Sequence, residues 1–297
     1  MKVLIVGSKG FIGSHCLDYY NNKFQVWGCD VVVDYTDERY FLINTSLLDF
    51  DHIFKSIQFD VCINCSGAAS VHDSVINPSR DFFLNSVNVF LMLDAIRKYS
   101  PNCKFLNLST AAVYGNPMNL PVKERDRIQP VSPYGFHKMQ AEEHCDSFFK
   151  IFRINTCSAR IFSAFGPGLK KQLFWDIYSK TKKGGGISFF GTGQETRDFI
   201  FIEDLVQALD SIVKNAPFEG EKINVASGIE TSIEVAVKTM LNELKWKEHF
   251  SFIGQTREGD PINWSADISL LNSYGFKPEF SLQNGLKIYS KWLKENE

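Results

Sequence analysis

An α/β fold with a doubly wound parallel sheet and a smaller C-terminal lobe is what this sequence of 297 residues predicts. Three observations carry that expectation. Short apolar runs alternate with amphipathic helical stretches, the pattern of a parallel sheet covered on both faces. The first run, Lys2 to Val6, leads at once into Gly7-Ser8-Lys9-Gly10-Phe11-Ile12-Gly13 and then into helix-forming sequence to about Tyr20, which reads as strand, glycine turn, helix. The length, with 44% hydrophobic residues, allows one large core and a small second lobe.

Each element follows in order. Gly7 permits the tight turn, Gly10 lets backbone N–H groups approach a pyrophosphate, and Gly13 lets the helix pack closely on the strand, so that phosphate meets a helix N-terminus. A second apolar segment from Phe24 to Cys29 ends at Asp30, a carboxylate able to accept from both hydroxyls of an adenosine ribose. It would repel a 2′-phosphate, so NAD is favoured over NADP. Val61 to Cys65 reads as a fourth strand, and the small residues Ser66-Gly67-Ala68-Ala69 let its end lie against a cofactor. A helix is predicted from about Asp81 to Tyr99, closed by Pro101. The next strand, Lys104 to Leu108, carries Ser109 and Thr110 at its carboxyl end, where open α/β sheets bind ligands. A helix from Tyr134 to about Lys150 and a strand from Ile154 to Phe162 complete the series.

Tyr134 and Lys138 are one helical turn apart and so share a face. A nearby fixed cation favours a phenolate, and lowering a tyrosine from about pH 10 to about pH 7 takes roughly 4 kcal/mol at about 1.36 kcal/mol per unit. Taken alone, the pair is also what many solvent-exposed helices carry. His137 lies between them in sequence but points off their face, which suits a surface or interface role.

Composition removes several function classes. The formal net charge is −2 with no basic block, which argues against nucleic acid and anionic membrane surfaces as partners. No apolar run approaches a membrane span and no separate signal segment precedes the glycine turn, so a cytoplasmic protein is expected. Seven scattered cysteines fit reduced thiols. Cys62 and Cys65 sit in an apolar strand with no second pair, so core packing is expected there and no metal site is predicted.

With these motifs in hand, the chain resembles the extended short-chain dehydrogenases/reductases, whose sheet is of the Rossmann type, and within them the NAD-dependent nucleotide-sugar epimerases and dehydratases. The likeness runs from Met1 to about Leu293. It rests on the glycine loop, Asn85 in its helix, Ser109-Thr110-Ala111-Ala112-Val113-Tyr114-Gly115, Tyr134 with Lys138, and Arg160-Ile161-Phe162-Ser163-Ala164-Phe165-Gly166-Pro167-Gly168. Gly191-Thr192-Gly193-Gln194-Glu195-Thr196-Arg197-Asp198-Phe199 and Arg257-Glu258-Gly259-Asp260-Pro261 extend it.

The resemblance implies roles. Thr110 would bind the sugar hydroxyl being oxidised, Tyr134 would move its proton, and Lys138 would hold the nicotinamide ribose and depress the tyrosine pKa. The cofactor would meet Gly7, Gly10, Phe11, Ile12, Gly13, Asp30, Ser46, Leu47, Cys65, Ser66, Gly67, Asn85 and Ile161, besides Tyr134 and Lys138. Substrate would meet Thr110, Ser163, Arg197, Arg257 and Asp260, the two arginines because guanidinium forks match phosphate oxygens. Residues 1–166 and 197–227 would form the NAD-binding domain, and 167–196 with 228–297 the substrate lobe. A homodimer is implied through the helices at 81–99 and 134–150, with Phe90, Met92, Phe148 and Phe149 available for the contact or for the sheet.

Departures from the family pattern narrow the reaction. Ser163 stands where many epimerases carry Asn, and Ser46 where an acidic residue often meets adenine, so both contacts would be looser. Ala111 and Ala112 stand where dehydratases carry acidic residues, and methyl groups cannot protonate a leaving hydroxyl. Ala112 also replaces the cysteine of members that epimerise at two carbons and then reduce. The expectation is therefore an NAD-dependent nucleotide-sugar epimerase acting at C4, through transient oxidation to a keto-sugar. The alternatives are a nucleotide-keto-sugar reductase or dehydrogenase with the same residues, and a non-catalytic NAD-binding regulator. Loops around 167 to 195 and 228 to 262 would read base and sugar, and the sequence does not name either.

Overall fold

The computed structural model describes residues 1–44, 49–255 and 261–297. The chain opens with β1 (Lys2–Val6), α1 (Phe11–Asn21), β2 (Gln25–Asp30), β3 (Tyr40–Leu42), α2 (Asp51–Ser56) and β4 (Val61–Asn64). Two short helices, α3 (Val71–Ile76) and α4 (Pro78–Phe82), lead through a wider π-helical turn (Phe83–Val87) into α5 (Asn88–Tyr99). Next come β5 (Lys104–Thr110), α6 (Pro133–Phe152) and β6 (Thr156–Ile161). The remaining elements are β7 (Ser163–Phe165), α7 (Gln172–Lys183), β8 (Ile187–Phe189), β9 (Thr196–Phe201), α8 (Ile202–Asn215), β10 (Glu219–Val225), β11 (Glu230–Ser232), α9 (Ile233–Leu244), β12 (Phe250–Phe252), α10 (Ser269–Ser273) and α11 (Leu282–Asn296).

Seven strands form one sheet in the order β10-β6-β5-β4-β1-β2-β3, with every neighbouring pair parallel. The order reverses between β1 and β4, so the loops leaving these two strands flank a crevice at the carboxyl edge, the usual ligand position of such sheets. Side-chain alternation explains why the strands are apolar throughout. Val3 and Ile5 of β1 join one buried cluster while Leu4 and Val6 join the other, and Ile63 and Cys62 of β4 divide in the same way. The first cluster includes Cys16 and Tyr20 of α1 and Leu205 and Leu209 of α8; the second includes Phe54 of α2, Leu93 of α5 and Phe148 of α6.

Two smaller sheets lie beyond, β11-β9-β7 and β12-β8. The first is built from strands on both sides of residues 166 and 197, so it straddles the division drawn from the sequence. A third apolar cluster, with Val113, Tyr114, Val122, Phe162 and Ala266, bridges the segment after β5 and the chain near residue 266. Among the described residues, no helix is long and apolar enough to cross a membrane.

Candidate active site

The glycine loop is shaped by backbone approach. Gly7 has φ of +80°, and a Cβ on it would lie 2.7 Å from the Ser66 nitrogen; a Cβ on Gly13 would lie 2.0 Å from the Gly7 carbonyl oxygen. Only glycine allows β1, the loop after β4 and α1 to converge in this way. The N-cap of α1 is Gly10, which offers no side-chain cap, and the first turn has no acidic residue. Its first-turn amides, those of Phe11 and Ile12 among them, suit an anion. Asp30 closes β2, with Oδ2 accepting from the Lys9 amide at 2.8 Å and Oδ1 from the Val31 amide at 2.7 Å. Asp30 is thus pinned beside the loop that would hold the phosphates.

Thr110 and Tyr134 come together across the carboxyl edge of β5. Thr110 is buried, its Oγ1 accepting from the Ala112 amide at 3.2 Å and capping the short 3-10 turn of residues 111–114. Ser132 caps α6 by accepting from the Gly135 amide, Pro133 sits at the start of the helix, and the half-buried Tyr134 donates its amide to Ser74 Oγ at 3.2 Å. Burial pushes the Tyr134 phenol up to about 12; a hydrogen bond with the Thr110 side chain pulls it down in part, and the Asp81 charge raises it. Burial pushes the Lys138 ammonium down to about 8, opposed first by Asp81. Lys138 Nζ donates to the Leu108 carbonyl at 2.9 Å. The upward direction of the Tyr134 phenol is thus set by burial, with the Thr110 side chain as the contact that opposes it, while the Lys138 ammonium is turned to a backbone oxygen.

Asp81 is a site residue without a sequence signal. It is 3% exposed, and its Oδ2 lies 2.6 Å from His137 Nδ1 while its Oδ1 accepts from Asn85 Nδ2 at 3.0 Å. His137 does point away from the Tyr134–Lys138 face, yet it is a largely buried partner of Asp81 rather than a surface group. Because a carboxylate only accepts, it turns the Asn85 amide nitrogen toward itself and the oxygen away. Asn85 Oδ1 is buried with no hydrogen-bond partner among the described residues. It lies 2.4 Å from where a Gly67 Cβ would stand, and Lys138 Nζ lies 3.3 Å from the same point. An acceptor and an ammonium facing a side-chain-free strand end fit a hydroxyl-rich ligand such as a ribose. With the uncapped α1 and with Asp30, they fit a dinucleotide.

The other expected residues divide. Cys65, Ser66 and Gly67 leave β4 beside the glycine loop, Ile161 ends β6 opposite Thr110, and Ser163 begins β7. Arg197 lies on β9, where its guanidinium donates to the Thr196 and Ile262 carbonyls and stacks over Trp264 at 5.6 Å, bracing this strand against the 262–264 segment. Ser46, Leu47, Arg257 and Asp260 lie outside the described residues. Ala111 and Ala112 are buried immediately after Thr110. Beneath the pair, Arg160 and Glu142 form a buried ion pair, with Nη2 to Oε2 at 2.7 Å and Nε to Oε1 at 2.9 Å, and Ser109 Oγ donates to Glu142 at 2.5 Å.

The family described as NAD dependent epimerase/dehydratase matches residues 3–226. A putative UDP-glucose 4-epimerase of Methanocaldococcus jannaschii is 29% identical over 306 aligned positions, covering 99% of each chain. UDP-glucuronate 4-epimerase 4 of Arabidopsis thaliana is 27% identical, over 98% of this chain and 75% of that protein. Among solved structures, UDP-N-acetylglucosamine 4-epimerase from Methanobrevibacter ruminantium M1, in complex with UDP-N-acetylmuramic acid, superposes with a TM-score of 0.90. It is 26% identical and covers 100% of this chain and 99% of that one.

Proposed function

The chain belongs to the NAD dependent epimerase/dehydratase family, and on that premise we propose that it is a nucleotide-sugar 4-epimerase with Thr110, Tyr134 and Lys138 as its catalytic residues. The similar proteins are named for UDP-sugars, which makes a UDP-sugar the first substrate to test. The observation that carries the reading is the Thr110–Tyr134 contact at the carboxyl edge of β5, beside Lys138 and followed by two buried alanines.

NAD supplies reversible hydride acceptance when bound; the chain's own groups do the rest. Thr110 orients the sugar hydroxyl through its Oγ1, and Tyr134 takes the hydroxyl proton during oxidation and returns it during reduction. Lys138 and Asn85 Oδ1 hold hydroxyls of the ribose next to the reacting ring. Ala111 and Ala112 offer no acid, so a leaving hydroxyl would go unprotonated and elimination is disfavoured. The division into a cofactor part, residues 1–166 and 197–227, and a substrate part, residues 167–196 and 228–297, belongs to the same proposal. So does a homodimer. Its support is an exposed aromatic seam along α5 and α6, discussed below.

Incubation of the purified protein with a panel of UDP-, GDP-, dTDP- and CDP-sugars tests the reading. The expected result is a C4 epimer detected by NMR without net change in NADH absorbance. Stoichiometric NADH turnover would instead identify a reductase or dehydrogenase. Tyr134→Phe should lower turnover by on the order of a hundredfold or more while NAD still binds, because a general acid–base group typically contributes 10²–10⁴-fold. Near-normal turnover in that variant would remove the mechanism.

A further inference from the structure

Lys9, in the middle of the glycine loop, has no role in the reading above, yet its position is tightly determined. Its amide is bonded to Asp30, the carboxylate that faces the adenosine ribose hydroxyls in the proposed binding mode. Its Nζ lies 2.5 Å from Asp34 Oδ2 and 5.1 Å from the Tyr40 ring centre. Asp34 is fixed in turn, because its other oxygen accepts from the Thr36 amide at 2.8 Å and from Thr36 Oγ1 at 2.7 Å. The Tyr40 hydroxyl donates to the Val32 carbonyl and ties residues 31–36 to β3. These bonds, with that of Lys9 first, hold the Asp34 carboxyl well below the usual carboxylate range, so it is charged at any working pH.

An ammonium on the residue whose amide bonds the ribose carboxylate is the kind of group that accommodates a 2′-phosphate. Here its charge is matched by Asp34. We propose that Asp34 is a specificity-determining residue: by capturing Lys9 it keeps the adenosine end of the site selective for NAD against the 2′-phosphorylated NADP. Asp30 and Asp34 together outnumber Lys9, so a 2′-phosphate meets a net negative charge. Removing Asp34 leaves Asp30 balanced by a released cation. The inference rests on the NAD part of the family reading and is independent of the sugar substrate.

Direct binding tests it. Wild type, Asp34→Asn, Lys9→Met and the double variant, stripped of co-purifying nucleotide, are titrated with NAD and with NADP by isothermal calorimetry at low ionic strength, with thermal melting as a folding control. Asp34→Asn should tighten NADP by on the order of tenfold, a change set by one charge near the protein surface, and leave NAD within about twofold. Adding Lys9→Met should abolish that gain. An unchanged NADP to NAD ratio in Asp34→Asn overturns the proposal. So does a gain that survives in the double variant, which would mean that Asp34 acts by its own repulsion, and so does an equal loss of both nucleotides, which would make the pair a loop scaffold. Failure of the wild type to bind NAD at all would be a different result, against the cofactor reading itself.

Discussion

At Lys138, burial and a neighbouring carboxylate act in opposite directions on one charge, and burial wins. Burial lowers its pKa from 10.5 to about 8, and the Asp81 carboxylate is the first of the charges resisting that fall. The folded chain therefore carries the Lys138 ammonium below about pH 8 and gives it up above, while an unfolded chain keeps it to about 10.5. If the ammonium holds the cofactor ribose, the NAD dissociation constant should rise as pH climbs past about 8. Asp81→Asn removes the charge that favours the ammonium, so the rise should begin at lower pH. Lys138→Met should bind more weakly and with a flattened profile. Calorimetric titration of NAD across the neutral to alkaline range checks all three, and a wild-type constant that is flat through this range would show that the ammonium does not carry the binding. The role of Asp81 is illegible in the sequence. It meets His137 across a separation of 56 residues, and nothing local marks a carboxylate as buried.

At the scale of the element, α6 joins the site to the sheet. Ser132 and Pro133 set where it begins, hence where Tyr134 stands, and one turn beyond Lys138 the helix is anchored by Glu142 to Arg160 of β6 and Ser109 of β5. Glu142→Ala leaves the Arg160 guanidinium buried beside Tyr114 without its counter-ion, and should cost about 3–5 kcal/mol of folding stability. Urea denaturation gives the value. The double replacement by Leu at 142 and Met at 160 should restore much of it, since two apolar side chains leave no unpaired charge. A single variant as stable as wild type would mean that water reaches the pair. The strands at 2–6, 61–65 and 104–108 are legible because uninterrupted apolar runs are local signals, and the helix from Tyr134 to about Lys150 is legible as a stretch, though not its cap at Ser132. The predicted helix from Asp81 to Tyr99 is legible only as a stretch: its π-helical turn, which carries Asn85 and lies against α6, leaves no local signal in the sequence. Three-residue strands such as β7 and β8 are too short to show a period.

At the scale of the whole molecule, the chain leaves aromatic side chains exposed along α5 and α6, the surface that the proposed homodimer would cover. Of the four side chains left open for the contact or for the sheet, Met92 and Phe148 are buried on the sheet side and the half-buried Phe149 packs near Gly220. Phe90 does face out, 45% exposed, with its ring 5.5 Å from His144 and 5.4 Å from Phe148; Phe152 and Phe83 are exposed on the same pair of helical segments. A two-fold contact presents each residue twice, so a single charge introduced at its centre is felt by both subunits. Phe90→Asp should therefore turn a dimer into a monomer with little loss of intrinsic fold, because the phenyl it removes is half exposed and fills no part of the sheet core. Sedimentation equilibrium at micromolar concentration separates the outcomes. Phe90 is none of the residues assigned to NAD, so the monomeric variant should retain NAD binding. Loss of turnover with retained NAD affinity would locate the dimer's contribution in the orientation of α6, which carries His144 against Phe90 and Lys138 in the site. A wild-type protein that sediments as a monomer would show that the aromatic seam is covered in some other way.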